Sequence, residues 1–261
     1  MFFQVSSSQP TVQPEAVFHV GDLLVTNAML AGVFVLFIYV VICIVINKRS
    51  RIIPSRFQTI VEVAVESFQN LLEQITGDER KAAKLLPLVG TIFLYIGLGN
   101  LIGLVPGVTS FTYDGIQLLR TPTNDFNLTF SIALAIVILT QLASIKHFGI
   151  FTHLGKYFKF MDIYRGFKKG IGDGVLAIVD FLIGLLDIIS EIAKVVSLSL
   201  RLFGNMFAGE VLAAILLGTF GLLIPAPWLA MNLLVGFLQA MVFGALTAAY
   251  YTLAVEDSPG T

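Results

Sequence analysis

The sequence predicts an all-α, polytopic membrane protein forming a single membrane domain over residues 1–261. Three observations carry this expectation. Of 261 residues, 56% are hydrophobic and only 13% are charged, and the mean hydropathy is +0.88. A soluble domain of this length needs a far more charged surface. Several apolar runs reach the roughly 20 residues that span a bilayer. They are continuously apolar rather than alternating, which argues against a β-barrel. The net charge of −1 makes no case for a nucleic-acid partner.

Residues 1–22 are an N-terminal segment, and no Lys or Arg occurs before Lys48. The opening MFFQVSSSQP lacks the basic region of a signal peptide, so no cleavage is expected. The first span is 23–46. Its Cys43, the single cysteine, has no internal disulfide partner and reads as a packing residue. Lys48, Arg49, Arg51 and Arg56 follow. Basic residues stay on the inner side, so this end is inside and the N-terminus outside.

Over 57–76 the pattern changes. Phe57, Ile60, Val61, Ala64, Phe68, Leu71, Leu72 and Ile75 recur at three- and four-residue steps, with Glu62, Glu66 and Glu73 opposite. This is an amphipathic helix, with Ser55 as its N-cap candidate. It is too polar to span and is expected to lie on the inner surface. Arg80, Lys81 and Lys84 keep the following turn inside.

The second span is 85–105, ending at Pro106-Gly107. The outer loop then carries one basic residue, Arg120, with Asp114 and Asp125. Gly97, Gly99, Gly103 and Gly107 suit close helix approach. The third span is 126–145. Lys146, Lys156, Lys159, Arg165, Lys168 and Lys169 mark the next segment as inside. His147 and His153 lie there without a nearby acid or cysteine, so zinc is not indicated. Gly166, Gly170, Gly172 and Gly174 do not form a phosphate-binding loop.

Residues 172–218 contain no proline and no turn cluster. One helix of that length would reach roughly 70 Å, over twice the ~30 Å hydrocarbon layer. Either two spans meet at a hidden turn or one helix lies strongly tilted. Pro225 and Pro227 break the pattern, and the last helix is 228–255. With one helix over 172–218, alternation puts the C-terminus inside. No internal repeat of the secondary-transporter kind is present.

The long apolar stretch carries an unusual polar line. Asp173, Asp180, Asp187, Lys194 and Arg201 recur every seven residues, which on a helix is a drift of only ~20° per step. Glu191 and Lys194 are at i,i+3 and can pair; a structural ion pair and a functional role both fit them. Ser197 and Asn205 fall near the stripe, while Asn100, Gln141 and Asn232 suit interhelical hydrogen bonds. Asp173 fits a helix start.

Arg201 is different. Its i±3 and i±4 neighbours are Leu198, Ser197, Gly204 and Asn205, so no local acid neutralises it. An arginine at membrane depth costs roughly 2.5–3.5 kcal/mol on insertion scales and marks function by default. The other spans offer Asn100, Gln141, Asn232 and Gln239 but scarcely a carboxylate. The counter-charge is therefore expected from another protein. Glu210 follows after about 900° of helix and ~13 Å of rise. It points away from the arginine stripe, as a lone carboxyl able to exchange protons.

VSLSLRLFGNMFAGE (196–210) resembles the signature of subunit a of F-type ATP synthases. PTNDFNLTFSIAL (122–134), LGNLIGLVPG (98–107) and FLQAMVFGALTAAYY (237–251) resemble the same family. The likeness extends over nearly the whole chain. It implies five membrane-crossing helices plus one amphipathic surface helix, the last two forming a long tilted hairpin against a rotor ring. It implies a non-catalytic stator role, with no cofactor and no ATP chemistry in this chain. The partners it implies are a ring of small c-type hairpin subunits with a mid-membrane carboxylate, peripheral b-type stalk subunits and lipid.

By matched position, Arg201 is the essential arginine, and Asn205 and Gln239 line the ring-facing surface. Asp187, Lys194 and Ser197 match the inner half-channel, with Glu191 beside them. Glu210 matches an outer proton carrier, and Asp125 and Asn127 the outer-side motif. Asn232 departs from the pattern: the family commonly has His or Glu seven residues before the matching glutamine. Asparagine does not titrate, so the outer relay would rest on Glu210 and water. The compact amphipathic N-terminal half favours a bacterial plasma membrane over an organellar one. The competing reading is a self-contained channel or secondary transporter with an arginine substrate site.

Overall fold

The computed structural model describes residues 14–20, 23–104, 112–113, 116–157, 171–220 and 225–256. The expected stop at Pro106-Gly107 and the basic residues Lys159, Arg165, Lys168 and Lys169 lie outside them. The described residues form seven α-helices: α1 (Asn27–Arg49), α2 (Arg56–Thr76), α3 (Glu79–Leu104), α4 (Phe126–Phe148), α5 (Ile150–Tyr157), α6 (Ile171–Phe220) and α7 (Pro225–Glu256). Two small antiparallel ribbons accompany them: β1 (Ala16–Val20) with β2 (Leu23–Thr26), and β3 (Thr112–Tyr113) with β4 (Ile116–Gln117).

Local chemistry sets the helix limits. The first helix starts at Asn27 rather than 23, because Leu23–Thr26 pairs with β1. The Thr26 hydroxyl then accepts the Met29 N–H at 3.3 Å, an N-cap that satisfies one orphan donor. In α2 the Ser55 hydroxyl accepts the Gln58 N–H at 3.3 Å. Gly77, at φ 66°, ends that helix in the left-handed region, where a residue without Cβ is unstrained. Helix α3 begins at Glu79, so Arg80, Lys81 and Lys84 belong to its first turns rather than to a loop. Helix α6 is one unbroken helix of 50 residues, which removes the alternative of two spans joined by a hidden turn.

Four helices among the described residues are long and apolar enough to cross a membrane: Asn27–Arg49, Glu79–Gly103, Phe126–Phe148 and Pro227–Val255. Their outer faces are apolar and exposed, as at Val33, Phe37, Leu142 and Leu234. Water would penalise such faces and lipid does not.

The chain divides into two compact units. The first joins Met1–Thr129 to Leu200–Ala248. Leu72, Val89, Ile96 and Phe243 are fully buried there. Phe68 of α2 stacks on Phe93 of α3 at 5.0 Å between centroids, and Phe93 meets Phe237 of α7 edge-on at 5.8 Å. Asn100 of α3 is 1% exposed. Its amide donates to the Gly236 carbonyl at 2.9 Å, and its Oδ1 accepts the Thr123 hydroxyl at 2.6 Å. One side chain thus ties α3, α7 and the 3₁₀ turn Pro122–Asn124 together.

Asn100→Leu would strand the buried Thr123 hydroxyl, at a cost of about 1–3 kcal/mol. We expect a lower thermal midpoint of the detergent-solubilised protein, measured against wild type. An unchanged midpoint would remove this role.

The second unit joins Phe130–Ser199 to Ala249–Thr261. Gly149, at φ 85°, lets the chain turn from α4 into α5. Its N–H closes on the Ile145 carbonyl at 2.8 Å, and its own carbonyl accepts the His153 N–H at 3.1 Å.

Candidate functional site

In the first unit, α6 turns one face inward and one outward. Leu202 and Met206 are 0% and 3% exposed, whereas Leu200, Arg201, Gly204, Asn205 and Ala208 are exposed. Among the described residues Arg201 makes no hydrogen bond or ion pair. Four residues on, the Asn205 amide donates to Gln239 Oε1 of α7 at 2.9 Å. Gln239 is otherwise buried, at 6% exposure, and its Nε2 has no partner among the described residues.

Glu210 has a different setting. It is half-buried, and its Oε2 is shut off from water without a hydrogen-bond partner among the described residues. Arg120, 5% exposed, lies within Coulombic reach of it. Glu210 is therefore not the lone carboxyl that the helix alone suggests. The whole stretch Arg120–Asp125 is buried, so Arg120 is part of the packed structure rather than a solvated loop residue.

Next to Glu210, Gly209 lies hard against the Asn232 side chain, which a Cβ at this position would strike. The Trp228 indole N–H donates to the Gly209 carbonyl at 3.2 Å. Asp125 starts α4: its Oδ1 accepts the Asn127 N–H at 2.9 Å, and its backbone carbonyl accepts the Thr129 N–H at 3.1 Å.

The second unit holds another polar group. Lys194 Nζ meets Glu191 Oε1 at 2.6 Å and sits 5.3 Å from the Tyr250 ring centroid. The Tyr157 hydroxyl donates to Gln141 Oε1 at 3.1 Å. Ser144 Oγ and His153 Nδ1 share a buried hydrogen bond of 3.0 Å. These side chains line one cavity of about 30 Å³, enough to admit water.

The structure brings Glu191 to Lys194, Asn205 to Gln239, Asn232 to Gly209 and Glu210 to Arg120. It leaves Arg201 and Asp187 without an ion pair among the described residues, and Ser197 exposed. Sequence reasoning missed Arg120. Its signal was being the one base in an outer loop otherwise free of them, just before PTNDFN. His153 was weighed only as a metal ligand, and Tyr157 and Tyr250 carried no signal.

Long apolar helices, with charged side chains gathered along one of them, define a polytopic membrane protein. Residues 28–252 match the family described as ATP synthase A chain. "ATP synthase subunit a" of Protochlamydia amoebophila is 32% identical over 224 residues, covering 80% of this chain and 73% of the relative. Its counterpart in Desulforamulus reducens is 37% identical over 212 residues, covering 78% and 68%. That of Moorella thermoacetica is 30% identical over 239 residues, covering 92% and 95%. The chain belongs to the ATP synthase A chain family. It is an integral membrane protein and a non-catalytic, proton-translocating stator subunit, part of a complex with other membrane-sector subunits.

Proposed function

We propose that this chain offers two offset proton half-channels to the carboxylates of a rotating ring of small c-type hairpin subunits, and that Arg201 keeps the half-channels apart. The observation that carries the reading is Arg201 itself: exposed on an apolar helix and without an ion-pair partner among the described residues. A charge left unneutralised in a membrane needs an opposite charge from elsewhere. A ring carboxylate arriving by rotation supplies it.

In this reading α6 is the fifth crossing, and α6 and α7 form a long tilted hairpin along the ring. Peripheral b-type subunits hold the chain still. The N-terminus faces outward and the C-terminus the cytoplasm of a bacterium, following the Lys and Arg distribution. A proton reaches Glu210 from outside and neutralises a ring carboxylate, which then tolerates lipid. After nearly a full turn the carboxylate reaches the inner path, where the carboxylates of Asp187 and Glu191 can accept the departing proton and Lys194 and Ser197 line the way. Asn205, Asn232 and Gln239 are polar, non-titrating side chains that shape the ring-facing and outer surfaces, and Asp125 sets the outer end of α4. Arg201 stays charged throughout, because a guanidinium does not deprotonate in proteins. About 2.3 kcal/mol per charge per 100 mV drives the cycle.

The ring-facing assignment has a direct test. Ala208 is exposed and lies seven residues past Arg201, on the same helix face. In a Cys43→Ser background, Ala208→Cys is expected to form an oxidative cross-link to a ring subunit carrying a cysteine beside its carboxylate. A denaturing gel reads the product. Absence of that product, with Leu200→Cys also negative, would overturn the assignment.

A further inference from the structure

We propose that His153 is the proton-exchange group at the inner end of the path, passing protons between the Glu191–Lys194 cavity and inner water. This rests on the half-channel reading above and adds to it a residue outside α6 and α7.

The bland reading is that His153 is a packing residue. It is 7% exposed, holds Ser144 and meets the Tyr157 ring edge-on at 5.3 Å. Three observations point further. First, His153 lines the same cavity as the Glu191–Lys194 pair, so a charged pair and an imidazole share one water-sized space. Second, that cavity is walled mainly by polar side chains from four helices, where a core histidine would be enclosed by apolar ones. Third, α5 lies in the Lys-rich stretch 146–169, where the chain meets inner water.

Among the described residues, these groups share the cavity with His153. Helix α6 presents Glu191 and Lys194, α5 presents Tyr157 and α7 presents Tyr250. From α4 the cavity receives only the neutral Thr140, Gln141 and Ser144. Imidazole is the side chain whose ordinary titration lies nearest neutrality, so it takes and releases protons without a large free-energy step in either direction. The step balances simply. The neutral ring gains the arriving excess proton from hydronium in the cavity, leaving water, or from protonated Glu191, leaving the carboxylate; it passes through imidazolium and releases a proton to inner water. No other bond forms or breaks. Ser144, as donor or acceptor at Nδ1, holds the ring in place through both states.

The test uses inverted membrane vesicles that keep the complete membrane sector, with the catalytic sector stripped off, and follows passive proton conduction with a pH-sensitive dye. His153→Gln keeps a hydrogen-bonding amide beside Ser144 but carries no proton. We expect conduction to fall about tenfold or more, with an altered pH profile from about pH 5 to about pH 8. His153→Ala is expected to be equally slow and to recover with millimolar imidazole. His147→Gln, an exposed histidine of the same segment, is expected to be unchanged. Wild-type conduction by His153→Gln across the pH range overturns the proposal, since an amide would then suffice. If His153→Gln fails to assemble, His153→Ala decides, and no recovery with imidazole overturns it. Arg201→Ala, assayed for ATP synthesis in unstripped vesicles, separates the two readings: retained coupling there sinks the half-channel reading, whatever His153 does.

Discussion

Arg201→Ala is expected to give a complex that assembles yet makes no ATP from a proton gradient. The side chain has no hydrogen bond or ion pair to lose among the described residues, and it stands on the exposed face of α6. Folding should therefore barely notice the change, and a native gel should show wild-type assembly. Coupling should notice it strongly. Two unit charges about 4 Å apart attract by about 4 kcal/mol at an effective dielectric near 20, which is about a thousandfold in how often a ring carboxylate is held ionised at that point. Without that charge nothing sets the ring's stopping place or separates the two water paths. ATP synthesis in vesicles should fall to background, with a passive proton leak in stripped membranes. Arg201→Lys should not restore it, because an ammonium is a compact point charge that loses its proton readily when desolvated. Sustained synthesis by the alanine variant would end the half-channel reading.

What could be read in the sequence was what helix periodicity and end chemistry encode. Arg201 stood out because its i±3 and i±4 neighbours are known once the helix is known. Ser55 announced the start of α2 by its chemistry and place, and the hydroxyl caps Gln58 as expected. The Glu191–Lys194 pair followed from i,i+3 spacing. Contacts between distant segments left no such trace. Leu23–Thr26 reads as the beginning of an apolar run, and only its pairing with β1 makes it a strand. Arg120 and Glu210 are far apart in the chain, and no periodicity relates a loop base to a helix acid. Ser144 and His153 meet because Gly149 turns the chain at φ 85°, a three-dimensional consequence of one residue. Spans and charges were therefore legible, while the companions of those charges had to come from the fold.

The acid beside Arg120 makes the second large prediction. Glu210→Gln is expected to leave the complex assembled and to cut proton flow about tenfold or more, since a positioned proton carrier contributes roughly 10²–10⁴-fold and water can replace part of that. Glutamine keeps the size and the acceptor oxygen of glutamate, so the packing of Gly209 against Asn232 and the Trp228 bond to the Gly209 carbonyl should survive. What glutamine loses is the ability to hold a proton. Asn232 offers no substitute nearby, because an amide does not titrate. The shortfall should appear equally in ATP-driven pumping and in passive conduction, as both directions use the same outer path. Glu210→Asp keeps the carboxyl on a shorter stem and should recover part of the rate. Losing the charge that faces Arg120 is a separate effect, and it should register as a lower thermal midpoint in the glutamine variant but not in the aspartate one. If stripped vesicles of Glu210→Gln conduct protons at the wild-type rate, the carboxyl is only the electrostatic companion of Arg120, and the outer path runs through water alone.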